Sequence, residues 1–300
     1  MQGWPTRPIR LIVPFAPGGG TDLISRLLAE RIAASSGWSV LVENRPGARG
    51  NVGLAAVSKA VPDGYTIGIG QAANLAINPT LYARMPFDPL TELAPIGSVI
   101  SQGLIVVVAA SSPFHALTDL VEVVKASPQS VTLAHPGNGT VGHLGAVLFA
   151  RRAGIELAIV PYRAASLPTQ LTGGQVDVLI GDPLVLMPLL NSDGFRALAV
   201  TSFGRLEGLP DVPTVAEAGY PGFAATNWSG LVAPAGTADE IIAEINTHTV
   251  AVLRWPGLVE KLAHDGSVPF PSSPAEFAAF MRAEYAKWGA AVTDAGVRIE

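Results

Sequence analysis

The segments Ala16-Pro17-Gly18-Gly19-Gly20-Thr21 and His135-Pro136-Gly137-Asn138-Gly139-Thr140 write Pro-Gly-x-Gly-Thr twice in one chain. Each copy follows a β-like run, Leu11-Ile12-Val13-Pro14-Phe15 or Val131-Thr132-Leu133-Ala134. Each precedes apolar residues at helical spacing: Leu23, Leu27, Leu28 and Ile32 in the first case, Leu144, Val147, Leu148 and Ala153 in the second. Each then returns to an apolar strand, Val40-Leu41-Val42 or Ile159-Val160, as a βαβ unit does. Two such units with a glycine loop at the same place predict an α/β chain of two related halves.

Strand-like and helical patterns alternate throughout, which predicts α/β lobes with mainly parallel sheets. Two helix starts read as capping boxes, Thr237-Ala238-Asp239-Glu240 and Ser273-Pro274-Ala275-Glu276. The helix after Thr237 carries Ile241, Ile242, Ile245 and Val252 on one side; the helix after Ser273 carries Phe277, Phe280, Met281 and Trp288. Both stripes read as core-facing. The expected division places residues 1–101 and 228–300 in lobe one and inserts 102–227 as lobe two, with a hinge near 99–103 and 224–229.

Composition narrows the function classes. Hydrophobic residues make up 49% and charged residues 14% of the chain, yet no run of about eighteen apolar residues forms a membrane span. A net charge of −5 with scattered arginines leaves no nucleic-acid footprint. The absence of cysteine removes disulfides, thiol catalysis and sulfur-ligated metals. The five histidines, His115, His135, His143, His248 and His264, include no pair at the spacing of a helical metal site, so no metal or cofactor is expected. The start Met1-Gln2-Gly3-Trp4 lacks the charged and apolar regions of a leader, which means either a cytosolic chain or one whose signal peptide has been replaced by an initiator methionine.

A helix start offers unpaired amides and the positive end of a dipole, and glycines let the chain curl those amides toward an anion. Thr21 and Thr140 add hydroxyls, and Asp22 reads as an N-cap. The plainer reading of either loop is a tight strand-to-helix turn. A dinucleotide enzyme is the alternative function, because Gly137-Asn138-Gly139-Thr140-Val141-Gly142 satisfies G-x-G-x-x-G. Its fingerprint is incomplete: no acid ends the strand running into Tyr162 and Arg163, and Leu23 holds the third glycine position of the first loop. No nucleophile elbow or Walker loop appears.

The ordered series Ile12 to Asp22, Val42-Glu43-Asn44-Arg45-Pro46-Gly47, Pro62-Asp63-Gly64-Tyr65, Ala76-Ile77-Asn78-Pro79, Gly137 to Thr140 with His143-Leu144, Gly174-Gln175-Val176-Asp177, Pro210 to Thr214, Gly219 to Phe223 and Ala233 to Thr237 resembles the tripartite tricarboxylate transporter substrate-binding (Bug) proteins nearly end to end. The resemblance implies a periplasmic, monomeric, two-lobed Venus-flytrap receptor of the periplasmic binding protein class (type II-like), with a ligand cleft between lobes. Such a receptor closes on a small carboxylate and delivers it to the membrane subunits of the transporter. It also implies that the two glycine loops are jaws of one carboxylate clamp, acting partly through ordered waters. By matching position, Phe15, Gly18, Gly19, Thr21 and Asp22 belong to the first jaw and Gly137, Asn138, Gly139, Thr140 and His143 to the second.

Six further residues are pocket candidates, most of them with structural alternatives. Gln71 and Asn74 line the pocket or bond their own loop. Asp182 reaches the cleft or caps the turn before Pro183, and Trp228, beside Asn227, stacks on a ligand or packs the hinge. Arg163 pairs with a distal carboxylate or lies on the surface. After Tyr162 relatives commonly carry a basic residue and glycine, whereas here Arg163 is followed by Ala164 and Ala165.

Overall fold

The computed structural model describes residues 3–162, 167–192, 194–264 and 266–300. Both repeated units take the expected form. Strand β1 (Ile9–Val13) passes through the first glycine loop into α1 (Gly20–Ser36), which ends on Gly37 in the left-handed region and returns as β2 (Val40–Asn44) parallel to β1. A short helix α2 (Asn51–Ser58), strand β3 (Thr66–Gln71), a π-helical turn over 73–77 and helix α3 (Asn78–Leu81) lead to the long strand β4 (Leu93–Gly103).

One residue later the chain begins β5 (Ile105–Ala109), then α4 (Leu117–Ala126), β6 (Thr132–His135), the second glycine loop, α5 (Val141–Ala153) and β7 (Ala158–Pro161), which is parallel to β6. Helix α6 (Leu167–Thr172), β8 (Val178–Gly181), α7 (Pro183–Leu190) and β9 (Phe195–Val200) follow. Strand β10 (Thr226–Pro234) returns the chain to the first sheet, and α8 (Asp239–Leu253), α9 (Pro256–His264), β11 (Ser267–Pro269) and α10 (Pro274–Ala295) complete it.

The strands form a six-stranded sheet in the order β11-β4-β10-β3-β1-β2 and a five-stranded sheet in the order β7-β6-β8-β5-β9. Neither is mainly parallel. Among the described strands, parallel pairing joins β1 to β2 and β3, and β6 to β7 and β8, and the other pairs are antiparallel. The sequence periodicity marked the βαβ units but not the direction of the strands that carry the chain between sheets. β4 leaves the first sheet and β10 re-enters it, so they lie antiparallel, from Thr226 opposite Gly103 to Pro234 opposite Leu93.

The hydroxyl of Thr201 joins the two crossings: it accepts from the Leu104 amide at 2.8 Å and donates to the Ala225 carbonyl at 2.6 Å. Beside it Gly103 has no room for a side chain, since a Cβ there would sit 2.5 Å from the Ser202 Cβ.

The second predicted capping box forms: Ser273 Oγ accepts from the Glu276 amide, and Glu276 accepts from the Ser273 amide at 2.8 Å. The first does not, because the Thr237 hydroxyl turns back to the Pro234 carbonyl at 2.8 Å and α8 starts after Ala238. The stripe of α10 buries Phe277, Met281 and Trp288. One apolar cluster runs from Ile12, Leu54 and Leu75 through Trp228, Phe277 and Trp288 to Leu104, Val106 and Leu144, so α10 packs the two sheets together along one side.

Candidate functional site

The first glycine loop is braced from below. Gly18 adopts φ +83°, and its amide donates to the Asp22 carboxylate at 2.9 Å. Asp22 also accepts from Asn44 Nδ2 at 2.8 Å and Arg26 Nε at 2.9 Å. The Arg26 guanidinium, helped by Gly18 and Asn44, holds this buried carboxyl down at about 2 against the opposing effect of burial. Asp22 is therefore not the N-cap; that position is Gly19, and Asp22 lies in the first turn of α1 with its acceptors spent on the protein. The Gly18 amide is spent too. Phe15, half-buried, accepts through its carbonyl from Asn44 at 3.1 Å.

Beyond this brace, Thr21 Oγ1 accepts a hydrogen bond from Gln71 Nε2. Asn74 is fully buried and bonds its own loop, its Oδ1 accepting from the Gln71 amide at 2.8 Å.

The second loop is closed on itself by two histidines. The Gly137 amide donates to His135 Nδ1 at 3.2 Å and the Gly139 amide to His143 Nδ1 at 3.1 Å. The two imidazoles stack with centroids 4.5 Å apart. Burial, then the neighbouring His143, push His135 down to about 4, and burial lowers His143 as well. Thr140 caps α5, accepting from the His143 amide at 3.2 Å while donating to the Gly137 carbonyl at 2.6 Å. The exposed Asn138 offers its carbonyl to Arg49 Nη1 at 3.0 Å. A Cβ on Gly139 would lie 2.7 Å from Leu81 Cδ2, so this loop packs against the Arg49 and Leu81 segments of the first-sheet side.

Between the two sheets opens a cleft of about 390 Å³. Its walls are α1 and α9 on one side and the start of α7 on the other, with the crossing strands β4 and β10 as the floor. Of the residues expected at the site, Thr21, Gln71, Asp182, Asn227 and Trp228 line it. Phe15, Gly18, Gly19, Asp22, Asn74 and the second-loop residues Gly137, Asn138, Gly139, Thr140 and His143 do not, and Arg163 lies outside the described residues.

Trp228 contributes no ring surface. Successive strand residues point to opposite faces, so Asn227 and Ser229 share a face while Trp228 points away. Its indole is 1% exposed, donates to Glu284 Oε2 at 2.7 Å and packs edge-on to Phe277 and Phe280.

Sequence reasoning missed Gln102, Ser229, Lys261 and Ser267, together with the apolar wall of Leu23, Ile24, Leu27, Ile100, Leu184, Val185, Leu258 and Leu262. The period-two rule applied from Asn227 finds Ser229. Lys261 carries no such signal, because the spacing of Leu258, Lys261 and Leu262 is that of any amphipathic helix. Among the described residues no group of three potential metal ligands is present.

Residues 24–297 match the family model described as tripartite tricarboxylate transporter family receptor, TctC. The chain belongs to this family. It is a transporter receptor and not an enzyme, and the dinucleotide-enzyme alternative is set aside on that ground. The chain is 34% identical over 299 residues to protein BugT of Bordetella pertussis, covering 99% of this chain and 92% of that one. It resembles an adipate-bound protein of R. palustris at 34% identity and TM-score 0.77, covering 98% and 99% of the two chains. It resembles a ligand-free TctC solute-binding protein from Polaromonas at 25% identity and TM-score 0.86, covering 97% and 99%. The two-sheet architecture is that of the periplasmic binding proteins.

Proposed function

We propose that this receptor works in the periplasm, binds a small carboxylate at the start of α1 and delivers it to the membrane subunits of a tripartite tricarboxylate transporter. The observation that carries this reading is the opening of α1 onto the cleft. Gly20 and Thr21 stand at its mouth, where first-turn amides lack helical partners and the helix dipole favours an anion. The adipate held by the R. palustris relative supports a carboxylate as the ligand class.

In this reading the chain before Leu104 and from Thr226 onward forms one lobe and the segment between them the other, and Thr201 ties the crossing strands together. The second glycine loop stands outside the cleft, seated on Arg49 and Leu81 with its Gly137 and Gly139 amides bonded to His135 and His143, so the anion site is assigned to the first loop. Closure then follows from the ligand's preference for the closed form.

Calorimetric titration of ligand-stripped protein with mono-, di- and tricarboxylates, and with NAD and NADP as controls, tests the reading. Saturable carboxylate binding without turnover is expected. Thr21→Val should weaken it by about tenfold, the worth of one hydrogen bond to a charged group, whereas Thr140→Val, whose hydroxyl is spent on capping α5, should leave it unchanged. Unchanged affinity in Thr21→Val removes the site at the start of α1, and response to the dinucleotides alone removes the carboxylate reading.

A further inference from the structure

The cleft is electrically lopsided. On the first-sheet side stand the amide end of α1 at Thr21 and the ammonium of Lys261 on α9, both favouring an anion. Across from them, at the start of α7, stands Asp182.

Asp182 occupies the N-cap of α7, where an aspartate ordinarily accepts from the helix amides. Its carboxylate makes no such bond. The carboxylate is half-buried in the cleft wall, and its described partner is Asn227 Nδ2 at 3.5 Å, one long donor for a group that accepts about four bonds. Among the described residues no lysine, arginine or histidine pairs with it, and Lys261 lines the same cleft beyond ion-pairing distance. Burial raises its pKa, the response of a carboxylate short of partners.

A second unmet group lies nearby on the floor: Ser229, 2% exposed, lines the cleft with an Oγ that has no partner among the described residues. Most of the remaining lining is apolar, including Leu23 and Leu27 on one wall and Leu184 and Val185 on the other.

We propose that the ligand is an amino carboxylic acid whose ammonium group is separated from its carboxylate by an apolar chain, and that Asp182 is the residue selecting it over a dicarboxylate. This rests on the carboxylate-receptor reading: the carboxylate goes to the α1 and Lys261 side and the ammonium to Asp182. A dicarboxylate of equal length brings a second anion against Asp182 in a site that excludes water, whereas the ammonium supplies the donors that Asn227 alone does not.

The test is titration of ligand-stripped protein with matched sets of three to six carbons, each set containing the ω-amino acid, the α-amino acid, the unsubstituted monocarboxylate and the dicarboxylate. At the best-fitting length the ω-amino acid should bind at least about tenfold more tightly than the other three. Asp182→Asn, which keeps the side-chain shape, should remove the preference over the dicarboxylate and change the unsubstituted acid by less than about twofold. Folding of the variant is checked by its thermal transition, and Asp182→Ser, a comparable N-cap, replaces it if it unfolds.

A dicarboxylate that binds wild type as tightly as the ω-amino acid, or a preference that survives in the variant, overturns the proposal and leaves the receptor reading standing. So does an α-amino acid that binds equally well. If Asp182→Asn and Lys261→Met weaken every carboxylate alike, the two residues pair with each other on closure and the selection role is refuted. No binding of any carboxylate overturns both readings together.

Discussion

His135 Nδ1 accepts the Gly137 amide, so a proton placed on that nitrogen leaves a donor facing a donor, inside a site with no solvent exposure. The magnitude follows from the shift. Burial, then His143, hold the folded value at about 4, against an ordinary value near 6.5. Because the folded value is the lower one, the unfolded chain takes up this proton first as pH falls. The stability is whole above about pH 6.5 and is lost progressively down to about pH 4.

At about 1.4 kcal/mol per pH unit, His135 alone accounts for a loss of about 2 kcal/mol between pH 7 and pH 5. His143, lowered by burial as well, acts in the same direction. Asp22, held down at about 2, loses its contribution only below about pH 4, outside this window. Asp182, raised by burial, acts with the opposite sign, so the quantity to measure is a difference between variants. Urea unfolding at pH 7, 6 and 5 should show wild type losing about 2 kcal/mol more than His135→Gln, whose amide oxygen accepts from Gly137 without titrating. An equal pH slope in the two proteins, or an NMR midpoint for His135 near 6.5, refutes the reasoning.

Glu284 accepts from Trp228 Nε1 at 2.7 Å and from Trp288 Nε1 at 2.8 Å and pairs with Lys287, so Glu284→Ala leaves two buried indole donors unmet. Chemical denaturation should register a loss of about 3 kcal/mol, against about 1 for Glu284→Gln, which keeps an acceptor; equal losses would contradict this account. Gly139→Ala combines a left-handed backbone, φ +71°, with a clash against Leu81, whereas Gly18→Ala, at φ +83°, meets nothing within 4 Å. The first should cost about 2 to 3 kcal/mol and the second about 1 by the same measurement, and the reverse order would remove the packing of the second loop against Leu81.

The repeated Pro-Gly-x-Gly-Thr made the two βαβ units legible because each element there has a local signal: a glycine turn, a capping threonine and apolar residues at helical spacing. The crossing strands have none. β4 and β10 are mixed runs of apolar and polar residues whose direction is set by pairing between distant parts of the chain, Gly103 with Thr226 and Leu93 with Pro234, which periodicity does not encode. The site divided in the same way. Thr21, Gln71, Asp182 and Asn227 sit beside recognisable turns and were found. Lys261 and the wall formed by Leu184 and Val185 come together only when α9 and α7 face each other. Asp22 misled because its position after glycines matches an N-cap, while its acceptors are claimed by Arg26 and Asn44 from elsewhere in the fold.

One strand joins the two tasks of this receptor. On β10 the residues facing the cleft are Asn227 and Ser229, whose side chains meet Asp182 and the unpaired floor. The residue between them, Trp228, is fastened through Glu284 to Trp288 on α10, the helix that packs both sheets. Because adjacent side chains of a strand cannot change faces without a shift of register, the pairing of β10 with β4 also fixes where Asn227 and Ser229 point. In the proposed reading, selection of a ligand can vary at Asn227, Ser229 and Asp182 while Trp228 and Glu284 hold the crossing strand in place. That separation of faces lets one transporter-receptor architecture present different cleft chemistry without altering how its sheets are joined.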